Sequence, residues 1–242
     1  MDLNPFDTLR KLHKVGSAEC LEWSIAIDRY NVRNRHKPTL YLYQDNSGDR
    51  YKELTRLLGE LACPEEVIQL HNALAATCTY QALRISSQKT LYIRPSGYRY
   101  LDAYRWKDPS CYDLIRYPYK NIPIADAGLP VHSWLKSIAD GIRQQTGIWL
   151  QEHHGDVHEV YPVFPGRAGL DAIILSLQDH VCETVIDQLL PLKKLKTCVM
   201  GFTTMKNKEP ELTIYFSVPT NREFPKDHDD AVRMTLGFFN EI

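Results

Sequence analysis

Arginine and tyrosine recur at alternate positions in short apolar-rich runs of this chain, a pattern that sets two complementary chemistries side by side. Arg84 lies in the run Tyr80 to Ser86, and Tyr92 and Arg94 lie in Thr90-Leu91-Tyr92-Ile93-Arg94. Tyr41 and Tyr43 alternate in Thr39-Leu40-Tyr41-Leu42-Tyr43, and Tyr215 in Leu212-Thr213-Ile214-Tyr215-Phe216-Ser217. If these runs are strands, Leu40/Leu42, Leu91/Ile93 and Leu212/Ile214/Phe216 point one way. Tyr41/Tyr43, Tyr80/Arg84, Tyr92/Arg94 and Thr213/Tyr215 point the other. A guanidinium offers paired, charge-assisted hydrogen bonds to phosphate oxygens, and a tyrosine ring attracts a cation over its face. Asp28 falls on the tyrosine side by alternation, either as counter-ion to the arginines or as a proton acceptor. Asp171 is a weaker candidate on the same grounds.

Other constellations compete. Glu152-His153-His154-Gly155-Asp156-Val157-His158-Glu159 holds three histidines and three carboxylates in eight residues, donors that suit zinc or iron. Gly155-Asp156 reads as a hairpin turn that would scatter them, so a metal-dependent enzyme built on His153–His158 stands as an alternative and no metal ligand is assigned. Asp227-His228-Asp229-Asp230 opens a terminal helix, where acidic residues favour the dipole. The tyrosines and arginines from Tyr98 to Tyr119 are diluted by Asp102, Asp108 and Asp113, so packing outweighs binding to single-stranded nucleic acid. No glycine-rich phosphate loop, nucleophile elbow or H-E-x-x-H motif occurs.

The net charge of -1, from 29 basic and 30 acidic side chains, provides no global field for a polyanion. The N-terminus lacks the pattern of a signal peptide and no apolar stretch approaches membrane-span length, so a cytoplasmic protein without a membrane span is expected. The six cysteines are scattered without metal-finger spacing and read as reduced thiols. With 242 residues and 43% hydrophobic content, one domain over 1–242 is the expectation.

The positioning elements follow from periodicity. Residues 22–44 read as a hairpin whose polar loop runs from Asn31 to Pro38. Asp49 to Ala62, and then Pro64 to about Cys78, carry apolar residues at helical spacing. A tight hairpin spans Tyr80–Ser86 and Thr90–Pro95, and Gly97 to Pro130 mixes strand and loop. A helix is expected from about Pro130 to Thr146, strands at Ile148–Glu152, Val157–Phe164 and Leu170–Gln178, and a helix from Asp179 to about Leu190. A hairpin over Thr197–Val218 and a helix near Asp229–Phe239 complete the order. Paired strands separated by helices lack the strand-helix-strand rhythm of a parallel sheet. The expected class is therefore α+β, an antiparallel β-barrel of repeated α-β-β units surrounded by helices, with the tyrosines inside.

The run from Met200-Gly201-Phe202-Thr203-Thr204-Met205 through Leu212 to Ser217, followed by Thr220-Asn221-Arg222, is similar to the last hairpin of the ABBA-type aromatic prenyltransferases, more narrowly the cyanobactin peptide prenyltransferases. Thr90 to Arg94 resembles an earlier barrel strand of that family. These stretches cover about a fifth of the chain, and Thr90 stands where many members have lysine. The resemblance implies transfer of an isoprenoid group from an allylic diphosphate to an aromatic or peptide acceptor, as in natural product biosynthesis. It implies no obligatory cofactor, with magnesium an optional companion of the diphosphate. Under it, Arg84 and Arg94 hold the diphosphate while Asp28, Tyr41, Tyr43, Tyr80, Tyr92 and Tyr215 serve the chemistry. A non-catalytic barrel that binds a peptide or small hydrophobe is the alternative from the same descent.

Overall fold

A computed structural model describes residues 6–7, 9–10, 18–42, 48–77, 80–118, 121–123, 137, 147–153, 157–205, 209–219 and 223–240. Among the described residues there are eleven strands: β1 (Ala18–Ile27), β2 (Val32–Leu42), β3 (Tyr80–Ser86), β4 (Thr90–Pro95), β5 (Tyr100–Asp108), β6 (Cys111–Pro118), β7 (Asn121–Pro123), β8 (Gly147–His153), β9 (Val157–Gly169), β10 (Lys196–Met205) and β11 (Glu211–Pro219). The helices include α1 (Gly48–Glu60), α2 (Glu65–Thr77), α3 (Leu170–Leu177), α4 (Glu183–Leu189) and α5 (His228–Asn240), with a 3-10 turn at Leu190–Leu192. The α+β class is thereby established, with a large antiparallel sheet in the order β6-β5-β4-β3-β2-β1-β11-β10-β9-β8-β7.

Among the described residues, the sheet is not closed into the expected barrel. The order ends on β6 and β7, and each of these strands ends in proline, Pro118 and Pro123, which cannot donate to a ladder. That is the habit of edge strands. The chain divides into two compact units, one of Met1–Glu22, His36–Tyr117 and Val218–Ala231, the other of Trp23–Arg35, Pro118–Ser217 and Val232–Ile242.

In the first unit, register fixes which residues share a face. Leu40, Ile85, Leu91 and Tyr104 form one row across β2 to β5, and Leu83, Ile93 and Asp102 the next. All seven are buried. Trp106, two residues beyond Tyr104 and therefore on the same face, donates its Nε1–H to the Leu61 carbonyl at 3.1 Å. That bond places the end of α1 over this face, where Leu54, Leu57, Leu58, Val67 and Ile68 of the helix pair are also buried. Helix α1 is closed by Ala62, two residues past its end, at φ 54°. The Cys63 N–H bonds the Leu58 carbonyl and the Ala62 N–H the Gly59 carbonyl, each at 2.9 Å, a Schellman closure that usually employs glycine.

The second unit repeats the theme of two helices followed by a hairpin. Met200 faces Ile214 and Phe202 faces Leu212 across β10 and β11, and all four are fully buried. Phe216 continues that side and stacks on Trp23 with centroids 4.5 Å apart, while the Trp23 indole donates to Thr235 Oγ1 at 3.0 Å.

Several expected elements are corrected. Leu170–Leu177 is helix α3, not a strand. Leu170, Ile173, Ile174 and Leu177 are buried, the i, i+3, i+4, i+7 stripe of a helix, whereas Leu175 is 66% exposed. The following helix begins at Glu183 behind Cys182, leaving Asp179 in the turn. The loop expected over Asn31–Pro38 is strand from Val32 onward. Apart from Ser137, the helix expected over 130–146 lies outside the described residues.

Candidate functional site

The face of the first unit opposite the helices is built from three rows. Thr39, Ser86, Thr90 and Arg105 stand opposite one another on β2, β3, β4 and β5. Tyr41, Arg84, Tyr92 and Ala103 form the next row, and Ala82 with Arg94 the third. Alternation puts all three rows on one side of the sheet. Thr39, Ser86, Thr90 and Ala103 are buried, while Arg84, Tyr92 and Arg94 are half-buried. The Nε of each of these two arginines is screened from solvent. Guanidinium groups in such a setting carry stronger fields than they would in bulk water, because the local dielectric is lower. The expected pairing of Arg84 and Arg94 with Tyr92 on adjacent strands is thus present in the backbone register.

The remaining expected residues are distributed differently. Tyr41 holds the register position opposite Arg84. Tyr80 does not continue the Arg94 row, because a register shift between Tyr80 and Ala82 sets it opposite Pro95. Tyr43 lies outside the described residues. Tyr215 belongs to the second unit, opposite Val199, with its carbonyl accepting the Thr197 hydroxyl at 2.6 Å. Asp28 shapes the β1–β2 turn of that unit. Its Oδ1 accepts the Tyr30 and Asn31 backbone N–H groups at 2.8 and 2.9 Å, and its Oδ2 lies 3.3 Å from Arg33, which also meets Glu211 at 2.5 Å. Asp171 is exposed at the start of α3, in place of the strand position expected for it.

The competing clusters resolve in part. His153 faces Val157 and Glu152 faces His158 across the β8–β9 hairpin, and His154 and Asp156 lie outside the described residues. No set of three metal-capable side chains occurs among the described residues. Asp227 caps α5 by accepting the Asp230 N–H at 2.9 Å, and Asp230 in turn accepts the Lys226 N–H at 3.0 Å. No described helix is long and apolar enough to cross a membrane.

Two groups escaped the sequence reading because strand phase after Gly97 was not legible. Arg105 is one, an exposed member of the arginine face. The other is a staple between β5 and β6, in which Arg116 clasps the buried Asp102 carboxylate with Nε–Oδ1 2.7 Å and the second nitrogen at 2.8 Å. The same guanidinium lies 4.0 Å over the Tyr100 ring. Burial, and then the neighbouring Asp102, push the Tyr104 phenol up to about 12. This group joins two strands and is structural. Comparison with known protein families, characterised proteins and solved structures finds no match to the chain.

Proposed function

We propose that the arginine-tyrosine face of the first unit binds an allylic diphosphate and that the chain is a prenyltransferase acting on an aromatic or peptide acceptor. The observation that carries this reading is the placement of Tyr92 between two half-buried arginines, Arg84 directly across from it and Arg94 two positions along the same strand. Ionisation of the allylic carbon–oxygen bond sends its electron pair to the diphosphate and leaves a delocalised carbocation. Arg84 and Arg94 stabilise the departing anion through charge-assisted hydrogen bonds. The Tyr92 ring stabilises the cation. A nucleophilic atom of the acceptor then bonds to the cationic carbon and gives up its proton to the released diphosphate or to water.

Because the sheet is not closed, a non-catalytic binding protein is the second reading. Titration calorimetry with an unreactive allylic thiodiphosphate, followed by incubation of the natural diphosphate with aromatic and peptide acceptors, separates the two. Binding with turnover supports the transferase, and binding alone supports the second reading. Absence of binding to the folded protein overturns both.

A further inference from the structure

We propose that the edge of β6 is where two copies of this chain associate, strand against antiparallel strand, about a two-fold axis at Leu114. The proposal is independent of the anion-binding reading above. Among the described residues β6 lies at one end of the sheet order and has a neighbouring strand on one side only. Backbone N–H and C=O groups along such an edge are a template for another strand. The eight residues Cys111–Pro118 also show both faces to solvent. Cys111, Asp113, Leu114 and Arg116 are exposed, and Tyr112 and Ile115 are half-buried. Leu114, in the middle of the strand, is 47% exposed.

Edges are ordinarily guarded by lysine, a bulge or a proline within the strand. Here the proline stands only at the end, and the single basic side chain, Arg116, is held by Asp102 and Tyr100. The strand is complementary to itself in one register. Opposed residues of an antiparallel pair share a face, so a two-fold axis normal to the sheet must bring one residue against its own copy. An axis at Leu114 pairs every position from Cys111 to Tyr117, covers the exposed leucine with its copy, and twice sets Tyr112 against Arg116 of the second copy. The Arg116 side chain remains 54% exposed beside Asp102, which leaves it open to that ring. An axis at Asp113 would set the carboxylate against its copy, and one at Ile115 would carry Pro118, which has no N–H, into the ladder. One pair of short strands buries less than a permanent interface, so the dimer is a concentration-dependent one.

The test is sedimentation velocity of the full chain from micromolar to near-millimolar concentration, where the mass should rise from 28.0 kDa toward twice that value. Leu114→Lys puts two like charges together at the axis and should weaken dimerisation by at least about tenfold, with an unchanged circular dichroism spectrum. A second variant reads the register. In a Cys111→Ser background, Leu114→Cys should be joined to its copy by a short bis-maleimide, because opposed Cβ atoms lie about 5 Å apart. Cys111 of the unaltered chain should not be joined to its copy, which this register places about 20 Å along the ladder. A chain that stays monomeric at the highest concentration, a folded Leu114→Lys variant that dimerises as well as the wild type, or a dimer that forms without the Leu114→Cys cross-link overturns the proposal.

Discussion

Arg84 and Tyr92 stand directly across from each other on β3 and β4, each half-buried. A cation and an aromatic ring at one level of a sheet are suited to a ligand that separates charge, and their contributions fall at different stages of a reaction. Replacing Tyr92 with leucine should slow the chemical step by about 2- to 30-fold, the equivalent of one lost cation–π contact of roughly 0.5–2 kcal/mol. The affinity for an unreactive thiodiphosphate should change much less, since the cation exists only after ionisation begins. Single-turnover rates compared with calorimetric affinities give the answer, and an equal loss in both would assign Tyr92 to ground-state binding.

Arg94 should show the opposite split. Arg94→Ala is expected to weaken thiodiphosphate binding by about 1.5–3 kcal/mol, the range for hydrogen bonds to charged groups. Arg94→Lys should recover only part of it, lacking the planar fork. Calorimetry on the folded variants checks this, and full recovery by lysine would show that charge alone matters.

His71 of α2 is fully buried, and burial pushes its imidazole down to about 4 from an ordinary 6.5. The folded state therefore holds the neutral ring while the unfolded chain binds a proton as pH falls through 6.5. Stability from this group is complete above that value and is lost as pH drops toward 4, a decline on the order of 3 kcal/mol. His71→Leu should flatten the decline between neutral pH and about 4.5 in urea unfolding followed by circular dichroism. Parallel wild-type and variant curves would contradict the assignment.

Ala62 closes the Schellman motif of α1 at φ 54°. The left-handed conformation costs a non-glycine residue about 1–2 kcal/mol, partly offset because glycine loses more entropy on folding. Ala62→Gly should stabilise the protein by about 0.5–1 kcal/mol, a rise of about 1–3 °C in Tm by calorimetry. A fall in Tm would mean that the Ala62 methyl group contributes more packing than its strain costs.

Where strict alternation met a tight turn, the sequence was readable. The β3–β4 hairpin and the phase of Leu83, Ile85, Leu91 and Ile93 follow from it, as do the arginines opposite them. Leu170–Leu177 misled because a short run with apolar residues in every phase does not distinguish a buried strand from a helix. Only the burial of Leu170, Ile173, Ile174 and Leu177 decides it. The polar residues after Asn31 resembled a loop, yet Asp28 folds the turn into a few residues and Arg33 is held by Asp28 and Glu211, interactions that no local pattern announces. Tyr80 was displaced by an inserted residue in the ladder, which alternation cannot foresee. Arg105 remained hidden because tyrosines, arginines and prolines after Gly97 blur the period of β5. Of the candidate site, the two half-buried arginines and Tyr92 were legible from the hairpin, and the third arginine required the register.

The segments of the first unit are far apart in the chain, and its earliest part is fastened to its latest. Arg10 donates to the carbonyls of Pro225 and Lys226, 215 and 216 positions further on, each at 3.4 Å. Phe6, Leu9 and Phe224 are buried in the same unit. During translation, the hairpin that carries Arg84 and Arg94 is synthesised long before residues 218–231 exist to complete its unit. The nascent chain must therefore keep those early apolar residues from aggregating for more than a hundred codons. Contacts of such sequence separation are reached late and slowly.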